Sequence, residues 1–184
     1  MRIIAGTHRG RRLETFEGED VRPTADRARE ALFSILTSRQ AILDATVLDL
    51  FCGTGALGLE ALSRGASHVT FVDNDADAIA LARKNIAGCK ETEHARVLRS
   101  DATRLGPSDR QYDLVLLDPP YGKNLILPTV QRLMAGDWLA VGALIVAEIG
   151  RKEDPPEIEG MHLSDLRRYG AAKFAFYEAG AAPE

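Results

Sequence analysis

The sequence predicts an α/β protein built on a doubly wound, mostly parallel sheet of seven strands, preceded by a small N-terminal hairpin and helix. Three observations predict this. From Thr46 onward, short apolar runs alternate with segments of helical periodicity. Acids recur at the carboxyl ends of successive runs, and the last two runs are separated by a turn with no helix between them. Alternation gives a parallel sheet with right-handed crossovers, whereas two strands joined by a tight turn must be antiparallel, so the last strand runs against its neighbours.

Taken in order, residues 2–5 and 11–14 are two extended pieces around Gly6-Thr7-His8-Arg9-Gly10, a hairpin expected to protrude from the main domain and display arginines. Pro23-Thr24 then precedes Ala28, Ala31, Leu32, Ile35 and Leu36, an apolar stripe at helical spacing with Thr24 as its N-cap. Strands are expected at 47–51, 68–73, 96–98, 112–117, 143–148, 161–169 and 172–178, the last two joined at Gly170, and helices at 56–64, 77–87 and 129–134. Residues 1–40 thus form an extension, 41–179 the main domain and 180–184 a frayed tail.

At 184 residues and 45% hydrophobic content the chain can bury one full core. Its net charge of −4 excludes indiscriminate coating of nucleic acid, but basic charge is concentrated locally. Arg2, Arg9, Arg11 and Arg12 precede any acid; Glu14, Glu17, Glu19 and Asp20 follow, and then Arg22, Arg27, Arg29 and Arg39. Cys52, Cys89 and the four histidines lack metal-ligand spacing, so no metal is expected. No run is long enough to span a membrane and no signal peptide is evident, which makes a reducing cytoplasm the expected compartment. Cys52 has no basic partner to activate it and reads as packing beside the glycines.

Two motifs carry chemistry. Residues 49 to 58, Asp-Leu-Phe-Cys-Gly-Thr-Gly-Ala-Leu-Gly, place Gly53, Gly55 and Gly58 in a G-x-G-x-x-G array after a strand and at the start of a helix, and Asp73 ends the next strand 20 residues after Gly53. That is the Rossmann-like arrangement for a nucleoside cofactor, with Asp73 accepting from ribose hydroxyls and Phe51 and Asn74 beside the loop and the acid. A dinucleotide needs its pyrophosphate at the helix N-terminus. Asp49, four residues before Gly53, would repel pyrophosphate but attract the ammonium or sulfonium of S-adenosylmethionine. Asp101, followed by Ala102, comes after the third strand and is positioned to accept from an adenine amine. Taken singly, these acids also suit turn or helix caps; together with Asp118 they occupy the strand ends that border a ligand crevice.

The second motif is Leu-Val-Leu-Leu-Asp-Pro-Pro-Tyr, residues 114 to 121. Asp118 ends a buried strand; Pro119 and Pro120 lack N–H donors, so their carbonyls remain free acceptors in a stiff turn. An exocyclic amine on a nucleobase is a weak nucleophile with two N–H groups. Asp118 and the Pro119 carbonyl would grip both hydrogens while Tyr121 stacks on the ring.

With these residues in hand, the chain resembles the S-adenosylmethionine-dependent methyltransferases of the seven-stranded class. More narrowly it is similar to the RsmD family, bacterial 16S ribosomal RNA guanine-N2 methyltransferases, through Arg2-Ile-Ile-Ala-Gly6, Arg9-Gly-Arg11, Arg22-Pro-Thr24, Asp49 to Gly58, Asp73, and Asp118 to Tyr121. The resemblance implies that Asp49 and the glycine loop hold the methionine part of the cofactor, Asp73 the ribose, Asp101 and Ala102 the adenine, and Asp118 to Tyr121 the target guanine. It also implies 16S rRNA in a partly or fully assembled small subunit as substrate; the charge pattern makes Arg9, Arg11, Arg12 and Arg22 the expected RNA contacts, and a monomer is the expected working unit. Three rivals stay open: an adenine-N6 or cytosine-N4 DNA methyltransferase, which needs the same acceptors; a nicotinamide oxidoreductase, which leaves Asp49 and the prolines unexplained; and a non-catalytic RNA-binding assembly factor.

Overall fold

The computed structural model describes residues 1–16, 23–170 and 172–179. Arg22, the acids at 17, 19 and 20, and the tail at 180–184 lie outside them. In chain order the elements are α1 (Pro23–Ser38), β1 (Thr46–Leu50), α2 (Ala56–Ser63), β2 (His68–Asp73), α3 (Ala76–Cys89), β3 (Ala95–Arg99), a 3-10 turn (Ala102–Arg104), β4 (Tyr112–Leu117), α4 (Ile126–Ala135), β5 (Leu139–Gly150), β6 (Met161–Tyr169) and β7 (Ala172–Ala179). The strands form one sheet in the order β3-β2-β1-β4-β5-β7-β6. β1 to β5 are parallel, and β7 inserts antiparallel between β5 and β6.

Both faces of the sheet are covered, which is why its central strands read as continuous apolar runs. Val47, Val69 and Phe71 meet Leu32, Phe33, Leu36, Leu59 and Ile86 on one side. Leu48, Leu50 and Val72 join the opposite layer, where Val130, Leu133 and Trp138 pack. The reversal of strand order beside β1, where β2 lies on one flank and β4 on the other, opens a crevice at the strands' carboxyl ends.

Four expectations change. The N-terminal hairpin forms, with Arg2 bridged to Arg12, but it does not protrude. Its backbone is tied to α2: Ile4 and Ala5 donate to the buried Glu60 carboxylate at 2.8 and 3.1 Å, and Thr7 N–H donates to the Ser63 carbonyl at 2.8 Å. Gly6 has φ +81°, and a Cβ there would lie 1.7 Å from the Ser63 oxygen, so only glycine permits this contact. Second, α1 already begins at Pro23, which places Thr24 inside its first turn and not at the N-cap. Third, α4 starts at Ile126, ahead of the expected 129, because Pro128 falls in the first turn, where its missing N–H leaves no bond unmade. Fourth, β5 starts at Leu139, ahead of the expected 143, and passes through Gly142 at φ 77°; the β4–β5 register jumps there, from Tyr112–Leu139 to Leu114–Leu144.

Candidate active site

β1 ends one residue early because Phe51 takes φ 60°, a left-handed conformation that a bulky residue enters only under constraint. The turn that follows is tied down on both sides: Cys52 N–H donates to the Val72 carbonyl at 3.1 Å, and Gly53 N–H to Asp73 Oδ2 at 2.9 Å. Gly53, at φ 51°, faces open space where a side chain would stand; Gly58 does the opposite, since a Cβ there would sit 2.3 Å from the Phe71 ring. One glycine leaves room for a ligand and the other lets α2 touch β2. Cys52 is buried and its thiol pKa is pushed up, chiefly by that burial, which keeps it an inert packing group.

Asp49 is wholly buried beneath this turn. Its Oδ2 accepts from Gly58 N–H at 2.9 Å, while Oδ1 has no hydrogen-bond partner among the described residues. Burial raises its carboxyl pKa well above the usual range; the Gly58 N–H opposes that rise, and the charges of Asp118 and Asp73 add to it. A buried acceptor without a donor fits a cationic group, and an ammonium or sulfonium would complete it.

Phe51, Gly53, Asp73, Asn74, Asp118 and Tyr121 line one cavity of about 530 Å³, so Asp73 and the Asp-Pro-Pro-Tyr ledge share a single space, while Asp49 lies buried outside its lining. Asp73 already accepts from Gly53 and, through Oδ1, from Asp75 N–H at 3.0 Å. Each carboxylate oxygen has a second lone pair, which leaves capacity for a diol. Asp101 and Ala102 are not among the residues lining this cavity. Asp101 caps the 3-10 turn: its Oδ1 accepts from Thr103 N–H at 2.9 Å and from the Thr103 hydroxyl at 2.7 Å, and these bonds lower its pKa. Ala102 is buried.

Asp118 follows β4 directly, its N–H reaching the Leu50 carbonyl at 3.3 Å. Its surface is open to solvent, yet protein atoms crowd it at the bottom of the crevice and the neighbouring Glu148 carboxylate repels its charge. Together these raise its pKa to about 7. Tyr121 is half exposed and donates its hydroxyl to Glu148 Oε1. The turn is held from below by Glu153, which accepts from Gly122 N–H and, at 2.7 Å, from Gly150 N–H. Pro119, Pro120 and Tyr121 also wall a second, mainly apolar cavity of about 210 Å³, to which Leu127, Glu148, Ile149 and Pro156 contribute.

Glu148 was legible as a strand end and nothing more, although an acid closing the apolar run Ala143 to Ala147 signals the same crevice edge as Asp118. Phe16, which also lines the larger cavity, gave no signal among acids. Arg9, Arg11 and Arg12 are exposed, and among the described residues none has an ion-pair partner; all lie on the docked hairpin, and none lines either cavity. Among the described residues no group of side chains could hold a metal ion, and no helix is long and apolar enough to cross a membrane.

A seven-stranded sheet with an antiparallel β7, a glycine turn over a buried acid, and an Asp-Pro-Pro-Tyr ledge on the same crevice define an S-adenosylmethionine-dependent methyltransferase. The chain belongs to the Conserved hypothetical protein 95 family, whose model matches residues 1–178. Ribosomal RNA small subunit methyltransferase D of Escherichia coli K12 is 42% identical over 149 residues, which are 80% of this chain and 74% of that protein. Its namesake from Haemophilus influenzae is 36% identical over 184 residues, covering 97% of this chain and 93% of the relative. The solved structure of yhhF from Escherichia coli matches with a TM-score of 0.84 at 36% identity, covering 99% of each chain. The first two relatives bear the name of the family that the sequence motifs resemble.

Proposed function

We propose that this protein methylates the exocyclic N2 amine of a guanine in 16S rRNA of the small ribosomal subunit, acting in the cytoplasm as a monomer. One observation carries the reading: Asp118, Pro119 and Tyr121 line one cavity together with Phe51, Gly53 and Asp73, and Pro119 and Tyr121 also wall a second, apolar cavity. The names of its relatives support rRNA of the small subunit as the substrate class.

S-adenosylmethionine supplies an electrophilic methyl group on a sulfonium. Asp49 and the turn at Phe51, Gly53 and Gly55 would hold its amino-acid part, and Asp73 and Asn74 its ribose. Asp101, seated at a helix cap and outside the cavity lining, reaches the adenine only through its remaining acceptor capacity. On the other side of the ledge, Asp118 and the Pro119 carbonyl accept the two amine hydrogens and fix the nitrogen's direction of approach. Asp118 then stabilises positive charge as it develops on that nitrogen, which sheds its extra proton to Asp118 or to water. Pro120 keeps the turn rigid, and Tyr121 replaces the stacking that an unstacked guanine loses. The larger cavity is too rich in acids for a pyrophosphate, which disfavours a nicotinamide enzyme.

Small subunits isolated from cells lacking this protein should accept labelled methyl from S-adenosylmethionine, and nuclease digestion followed by mass spectrometry should return N2-methylguanosine. N6-methyladenosine or N4-methylcytidine would refute the reading. In the extension, Arg9, Arg11, Arg12 and Arg22 are assigned to phosphates. Replacing Arg9, Arg11 and Arg12 together should weaken subunit binding and lower the slope of log K against log salt by about 0.7–0.9 for each phosphate no longer neutralised; an unchanged slope makes the hairpin ordinary surface.

A further inference from the structure

We propose that Glu148 is the residue that selects guanine, by accepting the ring N1–H that adjoins the N2 amine. The inference rests on the guanine-N2 reading and deepens it. β4 and β5 are in register at Leu117–Ala147, so Asp118, the residue after β4, and Glu148, two residues before the end of β5, are side by side on neighbouring strands about 4.8 Å apart. Glu148 lines the apolar cavity together with Pro119, Pro120 and Tyr121, whereas Asp118 faces the cofactor cavity. A base whose amine lies between Asp118 and the Pro119 carbonyl therefore carries its adjoining ring position towards Glu148.

What stands at that ring position differs between bases. Guanine has an N–H beside its amine; adenine and cytosine have a bare ring nitrogen with a lone pair. Glu148 uses Oε1 to accept from the Tyr121 hydroxyl, and Oε2 has no hydrogen-bond partner among the described residues. A carboxylate oxygen there bonds to guanine and repels the lone pair of the other two bases. Asp118 and its prolines grip an amine on any of the three. The ledge thus sets the reacting atom and Glu148 sets the base.

The two contacts of Glu148 can be separated by experiment. Small subunits would be reconstituted with rRNA carrying either guanine or 2-aminopurine at the mapped target. 2-Aminopurine keeps the amine but has a lone pair in place of the N1–H. The wild-type protein is expected to favour guanine by about 10²-fold in kcat/KM, the scale of one hydrogen bond to a charged group. Glu148→Gln, whose amide can turn either its oxygen or its NH₂ to the ring, should narrow that ratio at least tenfold. Tyr121→Phe, which removes the other contact of Glu148 and keeps the ring, should lower both rates and leave the ratio unchanged. Unchanged affinity of both variants for S-adenosylmethionine, measured by calorimetry, checks that they fold. Equal loss on both substrates in Glu148→Gln, or no preference in the wild type, overturns the assignment and leaves Glu148 as a prop for Tyr121. A wild-type product other than N2-methylguanosine overturns the reading beneath it instead.

Discussion

Replacing Asp118 by alanine should lower kcat for methyl transfer by about 10²–10³-fold, the usual loss when one preorganised group facing developing charge is removed. The dissociation constant for S-adenosylmethionine should move by less than about threefold if, as proposed, Asp49, Asp73 and the glycine turn hold that ligand and Asp118 does not. Comparable loss of both would show Asp118 to be a cofactor residue. Asp118→Asn keeps an acceptor oxygen and loses the charge, so about a tenfold loss is expected. Its pH dependence is the sharper test. The acidic form of Asp118 accepts poorly and cannot stabilise a cation, and its pKa is raised to about 7 by crowding and by Glu148. For the wild type, kcat/KM should therefore climb as pH rises through about 7, reporting ionisation in the free protein. In the asparagine variant only Glu148 remains to titrate on the ledge, with no charged neighbour, so the limb should move to lower pH.

That Asp118 could be read directly from the chain, while Glu148 could not, follows from the range of the interactions that place them. Asp118, Asp49 and Asp73 end strands whose apolar runs are local, and the glycine spacing fixes what adjoins them within ten residues. Glu148 owes its meaning to the pairing of β5 with β4, and that pairing is set across a register jump beside Gly142, where a period-two pattern breaks. The same interruption hid the first third of β5. Asp101 shows the converse: a cap and an adenine acceptor are both local readings, and the Thr103 hydrogen bonds form the cap through Oδ1 alone, so the one does not decide the other. The hairpin's docking rests on Glu60, an acid at a core-facing position of an otherwise apolar helix, whose partners lie 55 and 56 residues away in sequence. No spacing rule reaches that far.

Asp49→Asn should move stability and ligand affinity in opposite directions. In the wild type a carboxyl group is buried with Oδ1 unpaired, and its folded-state pKa stands well above the ordinary value of 3.8. The sign then follows from linkage. Between the unfolded and folded pKa values the folded state binds more protons than the unfolded one, so wild-type stability falls as pH rises from about 4 through that window. The asparagine cannot ionise and retains an oxygen for Gly58 N–H, so without ligand its Tm should overtake that of the wild type as pH increases. A cationic ligand reverses the order. S-adenosylmethionine draws Asp49 into its ionised form, releasing a proton, and wild-type affinity should rise with pH across the same window. Loss of a charged hydrogen-bond partner, worth about 1.5–3 kcal/mol, should weaken binding by about 10–100-fold in the variant. Because ligand stabilisation grows as RT ln(1 + [L]/Kd), the wild type should regain the higher Tm once the ligand is in large excess. Thermal melts at pH 5 and 8, with and without S-adenosylmethionine, check both signs. If the variant is less stable than the wild type at pH 8 without ligand, Asp49 is held ionised by something other than the cofactor, and the unpaired oxygen is not the cofactor's acceptor.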